Sequence, residues 1–98
     1  MSNLTTKWTP WDGTSDFHHT GGFSSAQIMC YVAPTTPYTV NVVANSVAVP
    51  LAGVVNDATS IGVQSTISTV CTYTVGVAGL PLRLTGGSDG LFLVRGIL

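Results

Sequence analysis

Charge is nearly missing from this chain: 7% of its 98 residues are Asp, Lys or Arg, and glutamate is absent. An ordinary soluble domain carries roughly 25% charged residues. Lys7, Arg83 and Arg95 are the cations, and Asp12, Asp16, Asp57 and Asp89 the anions, for a net charge of −1. Three scattered cations do not follow a phosphate backbone. Nor does so balanced a chain set up a field that draws in nucleic acid or an anionic membrane.

Long apolar runs are missing too. The mean hydropathy is +0.44, yet the longest apolar stretch, "VAVPLAGVV" (47–55), is nine residues interrupted by Pro50 and Gly53. A membrane-spanning helix needs about 20. The start, "MSNLTTKWTP", has no apolar core of a signal peptide, which predicts synthesis in the cytoplasm without export by the general pathway. Two cysteines, Cys30 and Cys71, are too few for a disulfide framework and read most simply as buried thiols in a reducing compartment, with a bridge between them or a functional thiol as the alternatives.

Helix formers are scarce, and no window sustains apolar residues at i, i+3, i+4 and i+7. Thr, Val, Ser and Gly dominate instead, and the branched carbons of Val and Thr suit a pleated surface. Pro, Gly and Asn punctuate the chain at the short intervals of an antiparallel sandwich or barrel. The fold expected is therefore all-β, a small antiparallel sandwich or barrel over 25–98, preceded by an extended N-terminal arm over 1–24. Strands are expected in "SAQIMCYVA" (25–33), "YTVNVVA" (38–44), "VAVPL" (47–51), "IGVQSTI" (61–67), "STVCTYTVGVA" (68–78), "LPLRLT" (80–85) and "LFLVRGIL" (91–98). "PTTP" (34–37) and "NS" (45–46) read as turns, and "GGSDG" (86–90) as the loop of a hairpin.

The arm, "WTPWDGTSDFHHTGGFSS" (8–25), holds both tryptophans and both histidines. Asp12, Asp16, His18 and His19 are residue types that bind metals, but adjacent histidines of an extended chain point to opposite faces, and a closed zinc site needs four convergent ligands. They read better as polar side chains of a packed loop, and no metal or other cofactor is expected. "TGGSDG" (85–90) lacks the lysine and following helix of a phosphate loop. No G-x-S-x-G elbow occurs and the histidines lie only in the arm, so nothing marks an enzyme. Trp8, Trp11, Phe17 and Phe23 are of the kind that anchor protein contacts, with a sugar-stacking platform as the alternative. Arg83 and Arg95 sit on otherwise apolar strands, where they can snorkel, pair with Asp57 or Asp89, or bridge to a partner. The expected partner-contact set is Trp8, Trp11, Phe17, His18, Phe23, Arg83 and Arg95.

Uncharged strands expose edges that invite pairing with other chains. Proteins usually blunt such edges with Lys, Pro or bulges, and "YTVNVVA" and "TVCTYTV" combine strand propensity with no charge. Such a chain is expected to hide its edges by closure, by self-assembly or by docking on a larger body. With its arm "WTPWDGTSDFHHTGGF", its Val/Thr-rich strands and its closing "LRLTGGSDGLFLVRGIL", the sequence resembles the small capsid decoration (cement) proteins of tailed bacteriophages. That resemblance implies a non-enzymatic virion protein, made in the host cytoplasm. Its partners would be the major capsid protein and copies of itself, often as a trimer, with no nucleic acid and no membrane. A glycan- or receptor-binding fibre module using the arm aromatics is the alternative.

Overall fold

A computed structural model describes residues 5–18, 22–51, 53–56 and 66–98. Strands form where side chains alternate between a buried and a wetter face, giving β1 (Thr9–Trp11), β2 (Ser25–Val32), β3 (Tyr38–Ala44), β4 (Val47–Pro50), β5 (Val55–Asn56), β6 (Thr66–Ile67), β7 (Cys71–Gly76), β8 (Leu82–Thr85) and β9 (Leu91–Ile97). Every pairing among them is antiparallel. One sheet runs β1-β9-β2-β7-β5. The other is built around β3. Thr39 pairs with both Thr66 and Thr85, and Asn41 with both Pro50 and Arg83. β8 therefore lies along one side of β3, while β4 and β6 follow one another along the other. The molecule is a two-sheet sandwich.

The core lies between the inner faces. The five-stranded sheet contributes Ala26, Ile28 and Cys30 from β2, Tyr73 and Val75 from β7, and Phe92 and Val94 from β9. The second sheet answers with Tyr38, Val40 and Val42 from β3, Ile67 from β6, and Leu82 and Leu84 from β8. Period-two alternation, visible in the sequence, produces both sets. Asn45 and Ser46 join β3 to β4 with positive φ values of 52° and 65°, the tight hairpin turn whose twist matches that of its strands. Asn41, of opposite parity to the β3 core residues, is also buried; its amide donates to the Thr39 and Arg83 carbonyls and to Thr85 Oγ1. These bonds tie β3 to β8 and meet the cost that an unpaired buried amide would carry.

One sequence expectation changes. "GGSDG" (86–90) does not close a hairpin: β8 pairs with β3, whereas β9 pairs with β1 and β2. The loop carries the chain from one sheet to the other, with left-handed Gly86 (φ 77°) and Asp89 (φ 67°). Turn-forming residues mark a change of direction but do not choose the next partner. The described part of the N-terminal arm packs along the domain. Thr5 bridges Ile97, and Thr9–Trp11 pair with Phe92–Val94, so this segment runs along the outer side of β9. The chain then crosses to the other sheet. Phe17 and Leu82 exchange both backbone hydrogen bonds at 2.9 Å, and Leu84 N–H donates to the Gly13 carbonyl at 2.8 Å. Gly13 has φ 84°, and a Cβ there would press on the Leu84 side chain. One continuous segment thus seals an edge of each sheet. The expected strand over 61–67 is described only at Thr66–Ile67; Ile61 and Val63 lie outside the described residues, as does Asp57.

Gly96, opposite Ala26 on the inner face of β9, leaves room for the ring of Phe23, which lies against it. A methyl group at residue 96 would run into that ring. Gly96→Ala is therefore expected to destabilise the fold by about 1–3 kcal/mol, the usual cost of overpacking. Gly76→Ala, on an exposed β7 position with no atom near the new methyl, is expected to be neutral or stabilising by up to about 1 kcal/mol. Urea unfolding of the two variants and the parent chain checks the contrast.

Candidate functional site

The aromatic residues of the N-terminal segment form a ladder through one side of the sandwich. Trp11 is tilted against Phe92 at 6.3 Å and Phe17 at 6.2 Å, Phe17 stacks on Phe23 at 5.1 Å, and Tyr38 meets Phe92 edge-on at 5.1 Å. Trp11 and Phe23 are 8% and 4% exposed. Both sit in the chain's own core, because the segment that carries them completes both sheets. Phe17 is half-buried against the same core. His18 is exposed, and His19 lies outside the described residues.

The two arginines are likewise engaged within the chain. Arg83 Nε donates to Asp16 Oδ1 at 2.6 Å and its Nη2 to Oδ2 at 3.2 Å, a two-pronged clasp between β8 and the segment that covers it. The carboxylate pushes the Arg83 guanidinium above its ordinary pKa. Among the described residues, Asp16 rather than Asp89 is thus the partner of Arg83; the expected pairing with Asp57 lies outside them. Arg95 Nε donates to Gln27 Oε1 at 2.7 Å, and its guanidinium lies 4.5 Å over the Trp8 ring. That stack pins the half-buried Trp8 to the outer face of the five-stranded sheet. Among the described residues, no three His, Cys, Asp or Glu side chains gather as metal ligands would.

A different place stands open. At one end of the five-stranded sheet a depression of about 350 Å³ is lined by Pro10, Trp11, Asp12, Ser15, Tyr31, Leu91 and Phe92. Of these, Tyr31 (48% exposed) and Leu91 (46%) are well exposed. Val32 (40%), paired with Leu91, and Val70 (59%), which precedes Cys71, lie at the same end of the sheet, so that this end holds four of the eight large apolar side chains exposed among the described residues. The register explains their grouping. Val32 faces Leu91 across β2 and β9, and Val70 precedes Cys71, which faces Cys30 one residue before Tyr31. A register shift between Cys30 and Val32 turns Val32 away from the core that simple alternation would assign it.

The floor of the depression is rigid. Trp11 Nε1 donates to the Ser15 carbonyl at 2.8 Å, and Asp12 Oδ1 accepts from the backbone N–H of Thr14 at 2.9 Å and of Ser15 at 3.4 Å. The result is an aromatic wall with one carboxylate at its rim. Sequence reasoning missed Tyr31, Val32, Val70 and Leu91. One signal for Leu91 was present: β9 carries aliphatic residues on both parities, with Leu91, Leu93 and Ile97 opposite Phe92 and Val94.

The Asp12 turn should respond to acid. Its carboxyl is held below the ordinary value of 3.8, first by the Thr14 backbone N–H and then by the Thr14 hydroxyl. A lowered folded-state pKa means that the charge supports the turn fully above the ordinary value and that the support fades as the pH falls through the lower one. In an NMR titration the Thr14 amide resonance should move with a midpoint below pH 3.8, and Asp12→Asn should abolish that movement.

No family model, curated protein or solved structure matches the chain.

Proposed function

We propose that this chain is a non-enzymatic structural virion protein of the capsid decoration type, which binds capsid subunits through the apolar end of its five-stranded sheet. The observation that carries this reading is the exposure of Tyr31 and Leu91 at one depression, with Val32 and Val70 exposed at the same end of the sheet, in a protein so poor in charge. A contiguous exposed apolar patch marks a contact surface. Depletion of charge at its centre, with an aromatic residue exposed beside a pocket, is the composition of an interface core. A capsid repeats its subunits in a lattice, so modest contacts at each site add up when copies of the chain also touch one another. Val47 and Val49 on β4, an outer strand of the second sheet, are 60% and 42% exposed and offer the surface for that self-contact. The assembly we favour is a homo-oligomer, a trimer being the form that the resemblance implies, attached to the virion with no nucleic acid or membrane involved.

The glycan-binding alternative keeps one supporting observation. Tyr31 stands beside the Asp12 carboxylate and Ser15 in the same depression, a flat ring next to hydrogen-bonding oxygens. It rests on Tyr31, since Trp11 is buried.

Cosedimentation separates the two readings. The purified chain should pellet with shells assembled from the major capsid protein of its own virion, and Leu91→Asp combined with Tyr31→Ala should weaken that binding by at least about tenfold, as loss of an anchor worth about 1.4 kcal/mol or more does. Binding to a glycan array that Tyr31→Ala removes, with no pelleting on shells, would replace the capsid reading with the glycan one. Val47→Lys and Val49→Lys should lower the oligomeric state seen in native mass spectrometry without unfolding the chain.

A further inference from the structure

The chain has two cysteines, and the strand register sets them face to face. Cys30 on β2 is the direct cross-strand partner of Cys71 on β7. Both have the inward parity: Cys30 follows Ala26 and Ile28, and Cys71 precedes Tyr73 and Val75. The spacing between them follows from the ladder. Val77 N–H donates to the Ser24 carbonyl at 3.1 Å, one step beyond the Ser25–Gly76 pair. In an antiparallel ladder the hydrogen-bonded pairs recur at every second position. Ala26–Val75, Ile28–Tyr73 and Cys30–Cys71 are therefore pairs of that kind, with Cα atoms about 5.5 Å apart. Disulfides span Cα separations of roughly 4.4–6.8 Å but Cβ separations of about 3.5–4.5 Å, a little shorter than in a hydrogen-bonded pair, so the bridge forms with a small approach of the two strands at this end of the ladder.

The two thiols differ in access. Cys30 is 1% exposed, with its Sγ 3.3 Å from the Val32 carbonyl; Cys71 is half-buried, with its Sγ 3.7 Å from Thr69 Oγ1. Burial, and then the neighbouring Cys71, push the Cys30 thiol above its usual pKa, so Cys71 is the sulfur that a solution reagent meets first.

We propose that Cys30 and Cys71 form a reversible intrachain disulfide when the folded protein meets a small-molecule disulfide. The Cys71 thiol gives its proton to water, and its sulfur attacks one sulfur of a reagent such as oxidised glutathione. The reagent's S–S bond breaks and one glutathione leaves as the thiolate. Cys30 then loses its proton and displaces the second glutathione from Cys71 Sγ. Two protein thiols are oxidised, and one glutathione disulfide is reduced to two thiols. The bridge closes a ring from residue 30 to residue 71 that contains β3, β4, β5 and β6. The ring restricts the unfolded chain far more than a short loop would. In a reducing cytoplasm the thiols stay free, as the structure has them. In an oxidising medium the same pair fastens the inner strands of the five-stranded sheet. This inference is independent of what the chain binds.

The test uses the full chain, folded, in native buffer with oxidised glutathione. Intact-mass analysis should show the loss of two hydrogens with no retained glutathione. The melting temperature should rise by about 10 °C and return on adding dithiothreitol. Cys30→Ala should stop at a stable glutathione adduct on Cys71 with no such rise, and Cys71→Ser should react slowly or not at all. The wild-type measurement stands without either variant. A persistent glutathione adduct, a chain-to-chain dimer or unreacted thiols in the folded wild-type protein would each overturn the proposal.

Discussion

The backbone hydrogen bonds between the N-terminal segment and the two sheets hold the sandwich shut. Without Gly13 and Phe17, the outward N–H groups of Leu82 and Leu84 on β8 lose their partners. Without residues 5–11, the outer side of β9 becomes an open edge. The aromatic ladder depends on the same segment, since Trp11 and Phe17 are placed by residues that also complete the sheets. The Asp16–Arg83 clasp adds a tether at the crossing, but it is more than a third exposed on the aspartate side and is screened accordingly. The backbone pairing and the buried rings therefore do most of the holding.

That arrangement resolves how so uncharged a chain manages its edges. The two stretches with the strongest tendency to pair elsewhere, "YTVNVVA" and "TVCTYTV", become β3 and β7. Both are interior: β3 has β8 on one side and β4 with β6 on the other, and β7 lies between β2 and β5. The outer strands β1 and β4 carry Pro10 and Pro50, which offer no N–H to a foreign strand. Proline here takes the part that lysine plays in more charged proteins. Arg83 and Arg95 tie down covering segments instead of solvating a surface. Among the described residues, half of the exposed large apolar side chains then fall at one end of the five-stranded sheet, where β2 ends and β9 begins.

Strands, inner faces and turns were legible because they are local. β3 occupies the stretch that alternation marks, β2 ends within a residue of its expected limit, and Asn45–Ser46 make the expected turn. Cys71, Tyr73, Val75 and Val77 share the inward parity that the spacing implies. Partner choice was not legible. Nothing in "GGSDG" distinguishes a hairpin from a crossing between sheets. Nor could the N-terminal segment be read as strand from Thr-Pro-Trp, whose pairing is decided by β9, some 80 residues away. For the same reason the candidate site moved. Trp11 and Phe23 looked available because their segment lacked periodicity, whereas Tyr31 and Leu91 looked like ordinary strand residues until a register shift and a strand end exposed them.

The apolar end and the cysteine pair meet at one point of the ladder. Cys30–Cys71 is the last regular pair of β2 with β7, and Tyr31 and Val70 are the next residues along each strand. The position of Tyr31 relative to Val70 thus depends on how firmly this final pair is held. Hydrogen-bonded ladders open first at their ends, where fewest buried contacts oppose opening. A covalent bond at the last pair would suppress that fraying where the exposed apolar side chains project. A partner binding there would then meet a surface already fixed in its bound shape, and the ordering cost of association would fall. Chemistry at a cross-strand thiol pair and recognition at an open surface are in this way linked by a separation of one residue.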